Sequence, residues 1–158
     1  MNLNFLTNSL FVELPREFFT ELKPTPVEKP ELLLWNEELA NELEMGKLSE
    51  NDRLLLFSGN ADYQGITTHA QAYAGHQFGH FTILGDGRAH VLGEVIDKNK
   101  ARLEVQLKGS GTTPYSRRGD GRAALGPMIR EYIISEALHS LGIPSSRSLA
   151  VVGTGEPV

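Results

Sequence analysis

The chain has 158 residues, 40% of them hydrophobic and 22% charged, which is ordinary for one packed globular domain and excludes a wholly disordered chain. It has no cysteine, which excludes a disulfide scaffold, a cysteine zinc site and thiol catalysis within these residues. The net charge of −5 is uneven: residues 1–60 hold five Lys/Arg against eleven Asp/Glu, and residues 81–130 hold nine against five. A nucleic-acid binder is more often basic throughout. A positive balance confined to one glycine-rich stretch suits a small anionic ligand, or else a solvated charged surface.

The N-terminus, MNLNFLTNSLFVELPREFF, has neither the basic flank nor the small-residue cleavage site of a secretory signal. The apolar runs Leu32–Trp35 and Leu54–Phe57 are too short to cross a bilayer. A cytoplasmic location is the expectation, with neither a membrane nor a nucleic acid as partner.

In residues 1–30, Pro15, Pro24, Pro26 and Pro30 break any long helix. Phe5, Leu6, Leu10, Phe11, Phe18 and Phe19 supply apolar surface, so the segment reads as an arm wrapped on the rest of the chain. Three- and four-residue spacing of Leu32, Leu33, Trp35, Leu39, Ala40 and Leu43 predicts a helix from Pro30 to about Met45, ended by Gly46. Ser49, with Asp52 three residues on, caps a second helix to Phe57. A loop follows at Asn60, and residues 66–78 suggest another short helix.

The pattern then becomes β. Phe81–Leu84 and Ala89–Ile96 read as strands joined by a tight turn, Gly85-Asp-Gly-Arg88. Asp97-Lys-Asn-Lys100 is a second turn, and Arg102–Leu107 alternates as a third strand, giving an antiparallel meander. Gly109–Gly126 is a long basic loop of the kind that is functional or disordered. Pro127 opens a helix to about Ser140, stopped by Gly142 and Pro144, and Ser148–Val152 is a fourth strand. The chain then reaches Gly153-Thr-Gly-Glu-Pro-Val158, a turn with no element after it. A last strand left at a sheet edge is an aggregation liability, so the expectation is the N-terminal part of a longer protein.

Four features can carry chemistry, and each has an ordinary structural alternative. Glycines in Gly85-Asp86-Gly87-Arg88 let a backbone approach a ligand, but Asp-Gly is also a preferred hairpin turn. Lys108 ends a strand, where protein kinases hold nucleotide phosphates, and where any exposed lysine can also sit. Glu131 on the following helix could pair with it, as could Glu136, although a carboxylate near a first turn is also favoured by the helix dipole. Arg117-Arg118-Gly-Asp120-Gly121-Arg122 is a phosphate clamp or a flexible basic loop.

Other signals fail. Gly109-Ser-Gly-Thr-Thr-Pro114 has proline where a dinucleotide fingerprint needs its third glycine, and no Walker A pattern exists. His76 and His80 are four apart, but Gly79 weakens the helix a metal pair would need, and no third ligand is local. Asp120 as a general base rests on one loop aspartate.

The combination is more specific than its parts. Tyr73-Ala-Gly-His-Gln-Phe-Gly-His-Phe-Thr-Ile-Leu-Gly-Asp-Gly-Arg88 resembles the signature of the selenoprotein O family. So do QLKGSGTTPYSRRGDGRAALGPMIREYI from Gln106 to Ile133, Glu136-Ala-Leu-His139, Gly142-Ile-Pro144 and Arg147-Ser-Leu-Ala-Val-Val152. The resemblance is dense from about residue 55 onward and looser in the arm.

That resemblance implies an α+β fold, a protein-kinase-like N-lobe, with residues 1–65 as arm and helical extension and 66–158 as the lobe of the same structural unit. It implies a pseudokinase that transfers AMP from ATP, with Mg²⁺, to Ser, Thr or Tyr hydroxyls of proteins, the nucleotide being inverted relative to ordinary kinases. Gly85, Gly87, Arg88, Lys108, Asp120 and Gly121 would contact the nucleotide, and Glu131 would pair with Lys108. The catalytic aspartate and the magnesium ligands would lie in a second lobe, past Val158, so these residues alone are expected to be inactive. A kinase-like phosphotransferase and a non-catalytic nucleotide-binding module are the alternatives. The sequence sets no oligomeric state.

Overall fold

A computed structural model describes residues 3–77 and 79–157. After two short 3-10 turns the elements run β1 (Phe19–Glu21), β2 (Glu31–Trp35), α1 (Glu37–Glu42), α2 (Glu50–Ser58), β3 (His69–Gln77), β4 (His80–Gly85), β5 (Ala89–Ile96), β6 (Arg102–Lys108), α3 (Leu125–Ser140) and β7 (Ala150–Gly153). The fold is α+β. One antiparallel sheet has the order β1-β3-β5-β6, with β4 also paired to β3, and a second sheet is β2 with β7.

The N-terminal arm does wrap the sheet. Thr7 bridges to Glu94 of β5, and β1 adds an edge beside β3. Leu6 and Phe19 are buried, and the His69 ring lies between Phe11 and Phe19, with centroids 5.9 and 5.6 Å away. The arm reaches β5 through Thr7 and Leu6, and Leu6 joins residues of α1 and α2 in one core with Leu92 and Val95. Every residue of β5 from Ala89 to Val95 is buried, a continuous run that a one-sided strand would not show. The main core joins Leu6, Leu39, Leu43, Met45, Leu56 and Phe57 to Leu92, Val95 and Leu107.

Several expectations are corrected. The helix read from Pro30 to Met45 is a strand followed by a helix. Leu32 and Leu34 pair with Val152 and Val151, and Asn36 caps α1 by accepting the Leu39 N–H at 3.0 Å. An apolar run of four fits either periodicity, and a distant partner decides it. The first 65 residues are accordingly not a helical extension alone, because β1 and β2 enter the two sheets. The short helix read over residues 66–78 is β3, paired with β1, β4 and β5, so sheet pairing overrides its alanines and glutamines. Phe78 lies outside the described residues.

The meander is also rearranged. β4 and β5 do not pair with each other; both run along β3, which faces β4 through Ala72–Gln77 and β5 through His69. Gly85–Arg88 is therefore no hairpin turn but a bulge between two collinear strands. Asp86 makes this possible by standing in for strand backbone. Its N–H donates to the Gln71 carbonyl at 2.9 Å, and its carboxylate accepts the Gln71 N–H at 3.1 Å. The fourth strand joins the second sheet and begins at Ala150. The Ser49 cap, α2, the Asp97 turn and β6 fall where the sequence puts them, and α3 starts two residues earlier than Pro127.

Candidate functional site

The basic loop after β6 is neither free nor disordered. Gly109 N–H donates to the Arg88 carbonyl at 2.6 Å, and Thr113 Oγ1 donates to the Asp86 carbonyl at 2.6 Å. Ser116 Oγ donates to the Gly87 carbonyl. The loop is thus stapled onto the bulge, and together they wall a cleft of about 950 Å³. Tyr73, Leu84, Lys108, Tyr115, Arg117 and Arg122 contribute to its lining.

Gly85, Gly87, Arg88, Lys108 and Gly121 come together around this cleft, whereas Asp120 stays off its wall. Asp120 instead accepts the Arg122 N–H through Oδ1 at 2.9 Å, shaping its own turn. The glycines have a structural reason that the sequence did not reveal. A Cβ on Gly85 would lie 2.4 Å from the Tyr115 ring, so the ring occupies the space a side chain would need. Tyr115 was not singled out from sequence. Its packing depends on a glycine thirty residues earlier, and no local pattern signals that.

Lys108 closes β6, where it pairs with Ala89 of β5, and its side chain leaves the sheet towards α3. Nζ donates to both Glu131 carboxylate oxygens, at 2.8 and 2.7 Å. Both side chains are nearly half exposed, at 43% and 49%. Such a pair adds only about 0–1 kcal/mol to stability, so its geometry is of more interest than its energy: a bidentate carboxylate fixes an ammonium at the cleft edge. Glu136, the other candidate partner, faces Arg147 instead at 2.7 Å.

The three arginines of the expected clamp separate. Arg117 lines the cleft and Arg118 does not. Arg122, whose side chain is only 10% exposed, is held by Glu156 through Nε at 3.2 Å and Nη2 at 3.3 Å, so it braces the cleft floor against the segment after β7. Arg88, exposed at the bulge, has no side-chain partner among the described residues. The wall thus carries Arg88, Lys108, Arg117 and Arg122 with one carboxylate, Asp86, while Glu131 and Glu156 pair with Lys108 and Arg122 from outside the lining. Burial raises the Asp86 pKa, with Glu104 adding to the rise while the Gln71 N–H and His69 oppose it. The balance suits an anion of several charges.

Beneath the loop, His90 is fully buried with Nδ1 2.7 Å from Ser110 Oγ and no partner for Nε2. Burial lowers its pKa from 6.5 to about 4. The unfolded chain therefore binds a proton that the folded chain refuses. Stability is full above pH 6.5 and falls as the pH drops towards about 4. Melting midpoints measured between these limits should decline with acid, and His90→Asn should flatten the decline. A wild-type midpoint constant across this window would contradict the burial of a neutral ring.

His76 and His80 lie on paired strands, not on a helix, and no group of three or more His, Asp or Glu able to hold a metal occurs among the described residues. No helix among them is long and apolar enough to cross a membrane.

A family model described as protein adenylyltransferase SelO matches residues 1–158. Similar curated proteins are each called protein nucleotidyltransferase YdiU. That of Nitrosococcus oceani is 58% identical over 96% of this chain and 31% of its own length. That of Anoxybacillus flavithermus is 56% identical over 100% of this chain and 33% of its own, and that of Bacillus mycoides 57% over 95% and 31%. The chain thus spans about a third of the length of the relatives it matches.

Proposed function

This chain belongs to the SelO family, and we propose that its cleft is the phosphate-binding side of the nucleotide site of a protein adenylyltransferase. The observation that carries this reading is the Lys108 ammonium, gripped by both oxygens of Glu131 at the edge of a basic cleft. A strand lysine held by a helix glutamate is how kinase folds set a cation against nucleotide phosphates. The antiparallel sheet followed by α3 supports a kinase-like N-lobe in the same way.

In this reading ATP is the nucleotide. Lys108 and Arg88 hold its phosphate oxygens, the bulge at Gly85 and Gly87 and the backbone at Gly121 shape the wall against it, and Asp120 acts only by holding the turn at Gly121 and Arg122. A Ser, Thr or Tyr hydroxyl oxygen of a protein substrate forms a bond to the α-phosphorus as its O–H bond breaks and the proton passes to a carboxylate base. The bond from that phosphorus to the β-phosphate oxygen breaks, and pyrophosphate leaves. Mg²⁺ would neutralise charge on the phosphates. The described residues offer no ligand cluster for it, so we place its ligands, with the catalytic aspartate, in the family's longer chain.

The test is mass spectrometry of the full-length protein incubated with ATP, Mg²⁺ and candidate protein substrates. AMP adducts on hydroxyl residues are expected. Phosphate adducts would replace this reading with a phosphotransferase, and neither adduct would leave a nucleotide-binding module without catalysis.

A further inference from the structure

α3 carries Glu131 but has little apolar anchorage. Of its sixteen residues only Ser135 is buried, and Ile133 and Ile134 are each more than half exposed. Its main packing partner among the elements is the short strand β7. The exposed Lys108–Glu131 pair is too weak to hold a helix of this length. Within this chain another contact places α3, and that placement bears on whether the pair forms.

The contact is a polar hub about 7.5 Å along the helix from Glu131. Glu136 accepts from four donors: Arg147 Nε, shared between both oxygens at 2.9 and 3.1 Å, Arg147 Nη2 at 2.7 Å, Ser148 N–H at 3.0 Å and Asn36 Nδ2 at 2.8 Å. Arg147 also lies 3.5 Å from Glu42 at the end of α1. Its Nη1 donates to His139 Nε2 at 2.9 Å, which fixes that nitrogen as an acceptor, since arginine only donates. Asn36 is at the same time the cap of α1. The hub therefore ties α3 to both ends of α1 and to the approach to β7, with the Glu136 and Arg147 side chains only about one-fifth exposed.

We infer that Glu136 and Arg147 are positioning residues of the Lys108 site, setting the height and rotation of α3 so that Glu131 meets the ammonium. The bearing of this on nucleotide transfer rests on the reading above; its bearing on the helix does not.

The experiment measures lysine acetylation rates, peptide by peptide, in the full-length protein. Glu131→Gln defines the rate of a released Lys108. Arg147→Met is expected to raise the Lys108 rate to that level while Lys23, exposed in the N-terminal arm, keeps its wild-type rate. Arg147→Lys should recover part of the protection. A merely destabilised chain would not single out Lys108. Circular dichroism checks that the variants fold, and should Arg147→Met not fold, Glu136→Gln and Arg147→Lys, which keep the side-chain bulk, carry the comparison. A folded hub variant with wild-type protection of Lys108 overturns the inference. In the transfer assay, Arg147→Met combined with Glu131→Gln should be no slower than the slower single variant. A wild-type protein without transfer activity would defeat the proposed function and leave the acetylation result standing.

Discussion

Replacing Lys108 by alanine in the full-length protein is expected to slow nucleotide transfer about a hundredfold to a thousandfold, the usual loss when one preorganised charge is removed from a developing anion. The melting midpoint should hardly move. The Lys108–Glu131 pair is nearly half exposed on both sides, and such pairs contribute about 0–1 kcal/mol. This separation of effects is diagnostic: a surface lysine would change neither quantity, and a buried structural one would change both. Glu131→Gln should give a smaller loss, because the ammonium remains but is no longer held from two sides. Labelled-AMP incorporation and thermal melts on the same preparations check both points. Transfer at the wild-type rate by Lys108→Ala would remove this residue from the site.

Gly121→Ala should cost about 3 kcal/mol or more, since it adds an overlap to an unfavourable backbone angle. Gly121 has φ +72°, and its Cβ would lie 2.0 Å from the carbonyl carbon and oxygen of Gly111 and 2.4 Å from Thr112 N. All three are backbone atoms in a loop that is itself pinned to the bulge, so none can swing aside as a side chain would. Gly142 supplies the internal comparison. It has φ +73°, yet nothing lies within 4 Å of its Cβ position. Gly142→Ala should therefore show only the left-handed backbone cost, about 1–2 kcal/mol. Urea unfolding of both variants isolates the overlap by difference. Equal losses at the two positions would mean that the loop does not pack as described.

The elements visible in the sequence are those whose signals are local. Ser49 capping α2, the alternation of β6 and the proline–glycine bracketing of α3 each lie within a few residues of the element they define. β2 was missed because its partner is β7, far along the chain, and Leu-Leu-Leu-Trp has no period of its own. β3 was missed because its alanines and glutamines favour helix, and only its place between β1 and β5 makes it a strand. The Asp-Gly step at Asp86-Gly87 was read by its commonest use, a hairpin. Its actual use depends on the Asp86 carboxylate replacing a carbonyl opposite Gln71, which no local rule foretells.

The site divides in the same way. Lys108 and Glu131 stood out by residue type and by the elements that carry them, and the structure brings them into contact. The glycines stood out too, but their packing reason, the Tyr115 ring beside Gly85, depends on a tertiary contact. Arg122 was placed in a clamp although Glu156 engages it. The hub of Asn36, Glu136 and Arg147 was invisible, because it is built from single polar residues on three separate segments, with no shared motif.

The pairing of β2 with β7 has a consequence during synthesis. Glu31 meets Gly153, and Trp35 meets Ala150. At about 5–20 residues per second, the earlier strand leaves the ribosome on the order of ten seconds before its partner exists. Throughout that interval Leu-Leu-Leu-Trp is a bare β-edge with aromatic and aliphatic side chains, the kind of segment that recruits strands from other chains. Until β7 arrives, cover for this edge has to come from elsewhere, and α2, which packs on β2 and is made soon after it, is the element at hand.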